Sequence, residues 1–347
     1  MNQTMIQSKE IKCVVWDLDN TLWNGILAEG DNLVLKDNAI DVVKTLDQRG
    51  ILQSIASKNN HHDAIKKLEE YNLKEYFLFP QINWGSKANN INRISNLLNI
   101  GIDTFAFVDD QPFEREEVLF KYPQVFCIDA ADIAKIPDMP RMLPRFMTDF
   151  TKNRRCMYLD DLKRKESEEV FEGPQEAFLS SLAMHFSVQL ANHEDLERVE
   201  ELMIRSNQLN ATGYQYSLKE LDSFRVSDDY LLLMAELSDK FGSYGKIGVA
   251  LVKKNKSVWT LKLLLISCRV LTRGVGSILL NYILNLASNA GVQFLADFVQ
   301  TERNRRMYIT YKFSGFEELK SDGRYILLEH KLSRITPYPN YVTLNFP

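Results

Sequence analysis

From Ile11 to Asp129 short apolar runs and helical patterns take turns: IKCVVW, IDVVKTLDQRG, ILQSIAS, HDAIKKLEEYN, YFLFPQI, ANNINRISNLLNI, TFAFVDD, EREEVLFKY and QVFCID. A continuous apolar run suits a buried strand, whereas apolar residues at the helical period suit an amphipathic helix. The alternation therefore predicts βαβ units and a parallel sheet. That restricts the first part of the chain to an open α/β domain. In such sheets ligands sit beyond the carboxyl ends of the strands, so the residues that end each run are the ones to inspect.

Those ends are polar in a consistent way. Asp17 and Asp19 follow VVW, Ser57, Lys58 and Asn59 close ILQSIASKNN, and Asp109 and Asp110 follow TFAFV; Lys87 stands where the helix after QINWGS begins. Carboxylates converging on one sheet edge repel one another, and a hard divalent cation with oxygen ligands relieves that repulsion; Mg²⁺ suits such a set. A carboxylate so neutralised, beside a hydroxyl and an ammonium, is suited to phosphoryl chemistry, in which the aspartate attacks phosphorus and cations offset charge on its oxygens. Each residue alone has an ordinary explanation. Asp-x-Asp pairs begin turns, Ser57 is placed to cap a helix starting near Asn60, and Lys87 suits a solvated helix position.

The chain has 347 residues, 45% of them hydrophobic, which is room for two domains with cores of their own. Between about Ile136 and Gly173 the pattern breaks: IPDMPRMLP holds three prolines and DDLKRKESEEVFEG is rich in charge, which reads as a partly helical linker. Beyond it MHFSVQLA, YLLLMAELS, KIGVALVKK and VWTLKLLLIS read as strands, and VGSILLNYILNLASNAG as a helix ending at Gly291. Strands in succession predict antiparallel pairing in an α+β domain. The expected divisions are 1–135 for the first domain, 136–176 for the linker, 177–335 for the second domain and 336–347 for a C-terminal tail.

The net charge of -4 shows no basic excess, so nucleic acid is not an expected partner. The N-terminal MNQTMIQSKE lacks a secretory pattern, and no apolar run approaches the roughly 20 residues of a membrane span, so a cytoplasmic protein is expected. Cys13, Cys127, Cys156 and Cys268 are far apart and have no neighbouring histidines, which favours free thiols over a zinc site or a disulfide framework. Gly274 and Gly276 form a G-x-G after a strand and before a helix. Such a loop can seat a phosphate on bare backbone N–H groups, and it equally allows tight helix–sheet packing.

The ordered set DLDNT (Asp17 to Thr21), Ser57, Lys87 and VDD (Val108 to Asp110) resembles the four motifs of the haloacid dehalogenase superfamily. That resemblance implies a Rossmann-like parallel sheet. It implies Asp17 as the nucleophile and Asp19 as general acid and base. Mg²⁺ would be held by Asp17, Asp109, Asp110 and the backbone carbonyl of Asp19, and phosphate by Ser57, Asn59 and Lys87. The short interval from Asp19 to Ser57 leaves no room for a large cap domain. The G-x-G loop together with MYITYKFSGF resembles the N-acetyltransferase fold, although Leu271 stands where acetyltransferases usually carry Gln or Arg.

The combination, with DLDNTLWNG, IASKNN, FVDDQPFEREEV, RSNQLN, DKFGSYG and SCRVLTRGVG, resembles the FkbH-like family from about Ile11 to Glu318. The resemblance implies a transferase of polyketide pathways. It takes 1,3-bisphosphoglycerate, removes phosphate and delivers the glyceryl group to the phosphopantetheine thiol of an acyl carrier protein. In this reading Cys268 carries the acyl group, with Arg269 and Arg273 as neighbours that lower its thiol pKa. Arg269, Arg273, Gly274, Gly276, Asn207 and Asn304 would line the pantetheine and acyl site. Asn207, Gln208 and Asn210 either contact substrate or hydrogen-bond within a loop. Arg269, Arg273, Arg303, Arg305 and Arg306 suggest a basic dock for an acidic carrier. The competing expectations are a Mg²⁺-dependent phosphatase with a non-catalytic second domain, an adaptor that docks carrier proteins without catalysis, and an N-acetyltransferase, which Leu271 disfavours.

Overall fold

The computed structural model describes residues 9–205, 210–302 and 304–347, apart from the side chains of Arg205, Cys268 and Leu271. The chain divides into two compact units, 1–161 and 162–347. The first contains β1 (Cys13–Trp16), β2 (Trp23–Asn24), β3 (Val34–Leu35), α1 (Ala39–Gln48), β4 (Leu52–Ser57), α2 (His61–Glu70), β5 (Gln81–Ile82), α3 (Lys87–Leu98), β6 (Phe105–Asp109), α4 (Pro112–Lys121), β7 (Phe126–Asp129) and α5 (Asp149–Lys152).

Five of these strands form a sheet in the order β5-β4-β1-β6-β7, with every pairing parallel. Every residue of β1, β4 and β6 is buried, as expected of a sheet covered on both faces. Alternate residues feed two cores. Val14, Trp16, Ile55 and Val108 pack with α1 and α2 on one face, and Cys13, Val15, Ala56 and Phe107 pack with α3 and α4 on the other. The chain leaves β1 for β4 and β5 on one side and then crosses to β6 on the other. The carboxyl end of β1 is therefore a topological switch point, the place where open α/β sheets bind ligands. Between β1 and α1 lie only the ribbon β2–β3 and one 3₁₀ turn, Leu27–Glu29.

The second unit follows from α6 (Arg154–Glu169), which begins within the first. It contains α7 (Gln175–Ser181), β8 (Met184–Leu190), α8 (Leu196–Arg205), α9 (Leu218–Val226), β9 (Tyr230–Asp239), β10 (Gly242–Lys254), β11 (Val258–Ile266), α10 (Ile278–Asn289), β12 (Gln293–Val299), α11 (Arg305–Phe313), β13 (Glu317–Asp322), β14 (Tyr325–His330) and β15 (Val342–Asn345). Its sheet runs β13-β14-β12-β11-β10-β9-β8-β15. One face packs on α10 and α11, the other on α8 and α9. The architecture as a whole is mixed α/β.

Three details of the fold differ from the sequence expectations. Antiparallel pairing holds for most of this sheet, but β11–β12 and β8–β15 are parallel, because α10 crosses between the first pair and the chain's end returns beside β8. The stretch 336–347, expected as a tail, supplies β15 and packs Tyr338, Tyr341 and Phe346 against the core. Likewise Ile136 and Met142, in the expected linker, are buried in the first unit's core. No helix among the described residues is long and apolar enough to cross a membrane.

Candidate active site

Parallel register sets Trp16 opposite Ile55 of β4 and Val108 of β6, so Asp17 and Asp109, one residue on, and Ser57, two residues on, gather at one edge. Lys87, first residue of α3, reaches into the same place. Its Nζ lies 3.0 Å from Asp17 Oδ1 and 2.5 Å from Asp109 Oδ2. Thr21 Oγ1 lies 3.3 Å from both Asp17 Oδ2 and Asp110 Oδ1, and it accepts the Asp110 backbone N–H at 3.0 Å. Asp17, Ser57, Lys87 and Asp109 are all buried.

Burial pushes the Asp17 carboxyl up to about 6; Asp109 adds to the rise, while Lys87 and a hydrogen bond from Ser57 oppose it. Asp109 is likewise raised, first by burial and further by Asp110, against Lys87. For Lys87, burial alone would lower the ammonium, but the charges of Asp17 and Asp109 override it and hold the group above the ordinary lysine value. Buried groups shifted by burial and by specific charged neighbours concentrate at functional sites.

Asp19 sits differently. The turn after β1 folds back with Thr21, Leu22 and Trp23 N–H groups donating to the Leu18 carbonyl, and Asn20 takes the left-handed conformation (φ 53°) that asparagine tolerates. This swings the Asp19 carboxylate away from the Asp17 cluster. Its Oδ1 accepts from Trp23 Nε1 at 2.9 Å and Leu27 N at 3.1 Å, and its Oδ2 accepts from Asn59 Nδ2 at 3.0 Å. Asn59, expected to bind phosphate, instead links Asp19 to Ser57 Oγ, 3.2 Å away. The Asp19 carboxylate is thus held by neutral donors only, two residues from Asp17.

Carboxylate oxygens of Asp17, Asp109 and Asp110 lie within 4.8 Å of one another. An all-oxygen donor set of that span fits a hard divalent cation such as Mg²⁺. The Asp19 side chain is not part of this set, in keeping with the expectation that it would offer its backbone carbonyl.

In the second unit β11 and β12 pair only from Val258–Gln293 to Leu261–Ala296, although both strands continue. Ala211 bridges the opening beyond: its N–H donates to the Leu264 carbonyl at 3.2 Å, and its carbonyl accepts from Val299 N at 3.1 Å. Asn210 accepts from Thr212 and Gly213 N–H groups, which is the loop role of its two expected ones. Asn304, expected at the acyl site, is fully buried and spends its amide on backbone, donating to the Val299 carbonyl at 2.8 Å and accepting from Thr301 N at 2.9 Å. Its polar atoms clamp the loop before α11.

Cys268 opens a 3₁₀ turn, Cys268–Arg273, directly after β11, and its side chain lies outside the described residues, as do Asn207, Gln208 and Arg303. Arg269 donates to the Tyr244 carbonyl at 2.9 Å. Arg273 is buried, 3.3 Å from Glu168, with an Nε that has no partner among the described residues. Gly274 has φ +68° with the Tyr341 hydroxyl packed against it, while Gly276 is open.

No protein-family model matches the chain, and no curated protein matches it. Among solved structures it is similar to the N-terminal part of protein BF1531 from Bacteroides fragilis, which contains a phosphatase domain and was crystallised with Mg. The identity is 34% over 38% of this chain and 40% of that one, with a TM-score of 0.34. It is also similar to the ribosomal-protein-S18-alanine N-acetyltransferase of Escherichia coli, at 17% identity over 44% of this chain and 96% of that one, TM-score 0.34. A third similar structure is the PaiA N-acetyltransferase of Thermoplasma acidophilum in complex with coenzyme A, at 18% identity over 42% and 98%, TM-score 0.32.

Sequence reasoning missed two features of the first site. Thr21 was read only as part of a motif, yet its hydroxyl joins the two acidic strand ends. Glu114 was read as one charge in a helical run, yet it is buried and pairs with Lys58 at 2.7 Å. A glutamate in the apolar stripe of EREEV, one turn before Val118, is the signal that would have found it.

Proposed function

We propose that the first unit is a Mg²⁺-dependent phosphoryl-transfer site. We further propose that the chain couples it to transfer of a glyceryl group from 1,3-bisphosphoglycerate to the phosphopantetheine of an acyl carrier protein. The observation that carries the first part is the convergence of Asp17, Asp109, Asp110 and Lys87 on the carboxyl end of β1.

Asp17 attacks phosphorus, the bond from phosphorus to the substrate oxygen breaks, and Asp19 gives that oxygen a proton. Water then attacks the aspartyl phosphate, with Asp19 taking the proton, and orthophosphate leaves. Lys87 and Ser57 hold the phosphoryl oxygens while the buried surroundings keep bulk water from screening them. Mg²⁺, held by Asp17, Asp109 and Asp110, supplies positive charge against the same oxygens.

The second part is supported by the SCR sequence at the end of β11. The Cys268 thiolate attacks the acyl carbon of the acyl phosphate, the bond to phosphate breaks, and thioester exchange passes the acyl group to the pantetheine thiol. The test is intact-protein mass spectrometry after incubation with Mg²⁺, 1,3-bisphosphoglycerate and a phosphopantetheinylated carrier. A glyceryl increment on the carrier, lost in Cys268→Ala, supports the reading; phosphate release with an unmodified carrier contradicts it.

That second outcome would favour a phosphatase with a non-catalytic second unit.

A further inference from the structure

Lys58 and Glu114 join two parts of the sheet edge that do not adjoin in the strand order. Lys58 follows the last residue of β4, and Glu114 lies in the first turn of α4, which follows β6; β1 stands between those strands. Their 2.7 Å ion pair therefore spans the carboxyl end of β1, where Asp17 sits.

Glu114 is 4% exposed, and its Oε2 has no hydrogen-bond partner among the described residues. Burying a carboxylate with one oxygen unmatched is costly, and an apolar residue beside Val118 would pack there without that cost. What the arrangement achieves is a fixed position for Lys58, whose side chain keeps 38% of its exposure. The other cations of this edge are committed inward. Lys87 is buried between two carboxylates, and Arg115 donates to the Asp109 carbonyl at 2.7 Å and to Asp129 at 2.6 Å. An ammonium has three N–H donors, and only one of Lys58's is directed at Glu114.

We propose that Lys58 is a specificity residue of the phosphoryl site. It receives a second anionic group of the substrate, a carboxylate or a second phosphate, while the reacting phosphate lies over Asp17; Glu114 is the residue that positions it. This rests on the phosphoryl-transfer reading above. A brace of purely structural purpose would instead affect all substrates alike.

The test is steady-state kinetics of the full chain with Mg²⁺ on 3-phosphoglycerate and glycerol 3-phosphate, which share a skeleton and differ in whether they carry a carboxylate. Lys58→Met is expected to lower the ratio of kcat/KM values for the two roughly ten- to a hundredfold, the worth of a hydrogen bond between charged groups, mostly through KM. Lys58→Arg should keep most of the ratio. Because Lys58→Met strands the Glu114 carboxylate, Lys58→Met/Glu114→Gln is measured beside it and should show the same loss. An equal fall on both substrates, or a ratio untouched by either variant, overturns the proposal alone. A wild-type protein that releases phosphate from neither overturns the phosphoryl-transfer reading, and the proposal with it.

Discussion

The Lys87 ammonium lies 3.0 Å from the Asp17 carboxylate, both of them buried, and it bridges onward to Asp109 on the neighbouring strand. One cation thus holds two strand ends that would otherwise repel. Lys87→Met should destabilise the Mg²⁺-free protein by about 3–5 kcal/mol, the usual cost of stranding a buried charge. Urea unfolding should recover part of that loss when Mg²⁺ is added; an unchanged midpoint in the Mg²⁺-free variant would refute the bridge.

The raised Asp17 carboxyl gives Mg²⁺ binding a pH dependence. An acid whose folded value, about 6, exceeds the ordinary 3.8 takes up a proton on folding. Its contribution therefore favours the fold at low pH and is lost as pH rises through that window. Mg²⁺ competes with the same proton, so its thermal stabilisation should be small at pH 5 and larger at pH 7.5. Equal shifts at both pH values would contradict the assignment.

In the second unit Arg164 is fully buried against Asp239, with Nε to Oδ2 at 2.7 Å and the Tyr244 ring beneath the guanidinium. Burial alone would raise Asp239, but hydrogen bonds and charge from Arg164 hold it below the ordinary aspartate value. Its contribution is present above that ordinary value and is lost as pH falls through the lower folded one. Asp239→Asn should cost about 3 kcal/mol at neutral pH by removing the carboxylate that faces the buried Arg164 guanidinium. Chemical denaturation checks this, and a loss that persists undiminished into strong acid would count against the charge argument.

The two glycines of the G-x-G loop should respond differently to alanine. Gly274 has φ +68° and the Tyr341 hydroxyl where a Cβ would go, so Gly274→Ala should destabilise the protein by about 1–3 kcal/mol. Gly276 has nothing within 4 Å, and Gly276→Ala should change stability by less than about 0.5 kcal/mol. Similar melting temperatures for the two variants would show that the loop is not held by Tyr341.

The parallel sheet and the convergence of Asp17, Ser57, Lys87 and Asp109 were legible because strand ends are set by the apolar runs, and an open α/β sheet gathers them at one edge. What was not legible depended on contacts across the chain. The direction of the Asp19 carboxylate depends on a left-handed Asn20 and on Trp23. Asn304 carries the same side chain whether it binds a substrate or clamps a loop, and only its backbone partners decide. β15 was missed because VTLN is too short to stand out and pairs with a strand far back in the sequence.

The most direct test of the account is acid quenching of the enzyme during turnover of 1,3-bisphosphoglycerate with Mg²⁺, followed by peptide mass spectrometry. The account predicts one phosphoryl group on the peptide that contains Asp17, with the adduct absent in Asp17→Asn and phosphate release reduced there to the share that Cys268 acylation sets free. Phosphate release by Asp17→Asn at the wild-type rate would contradict it.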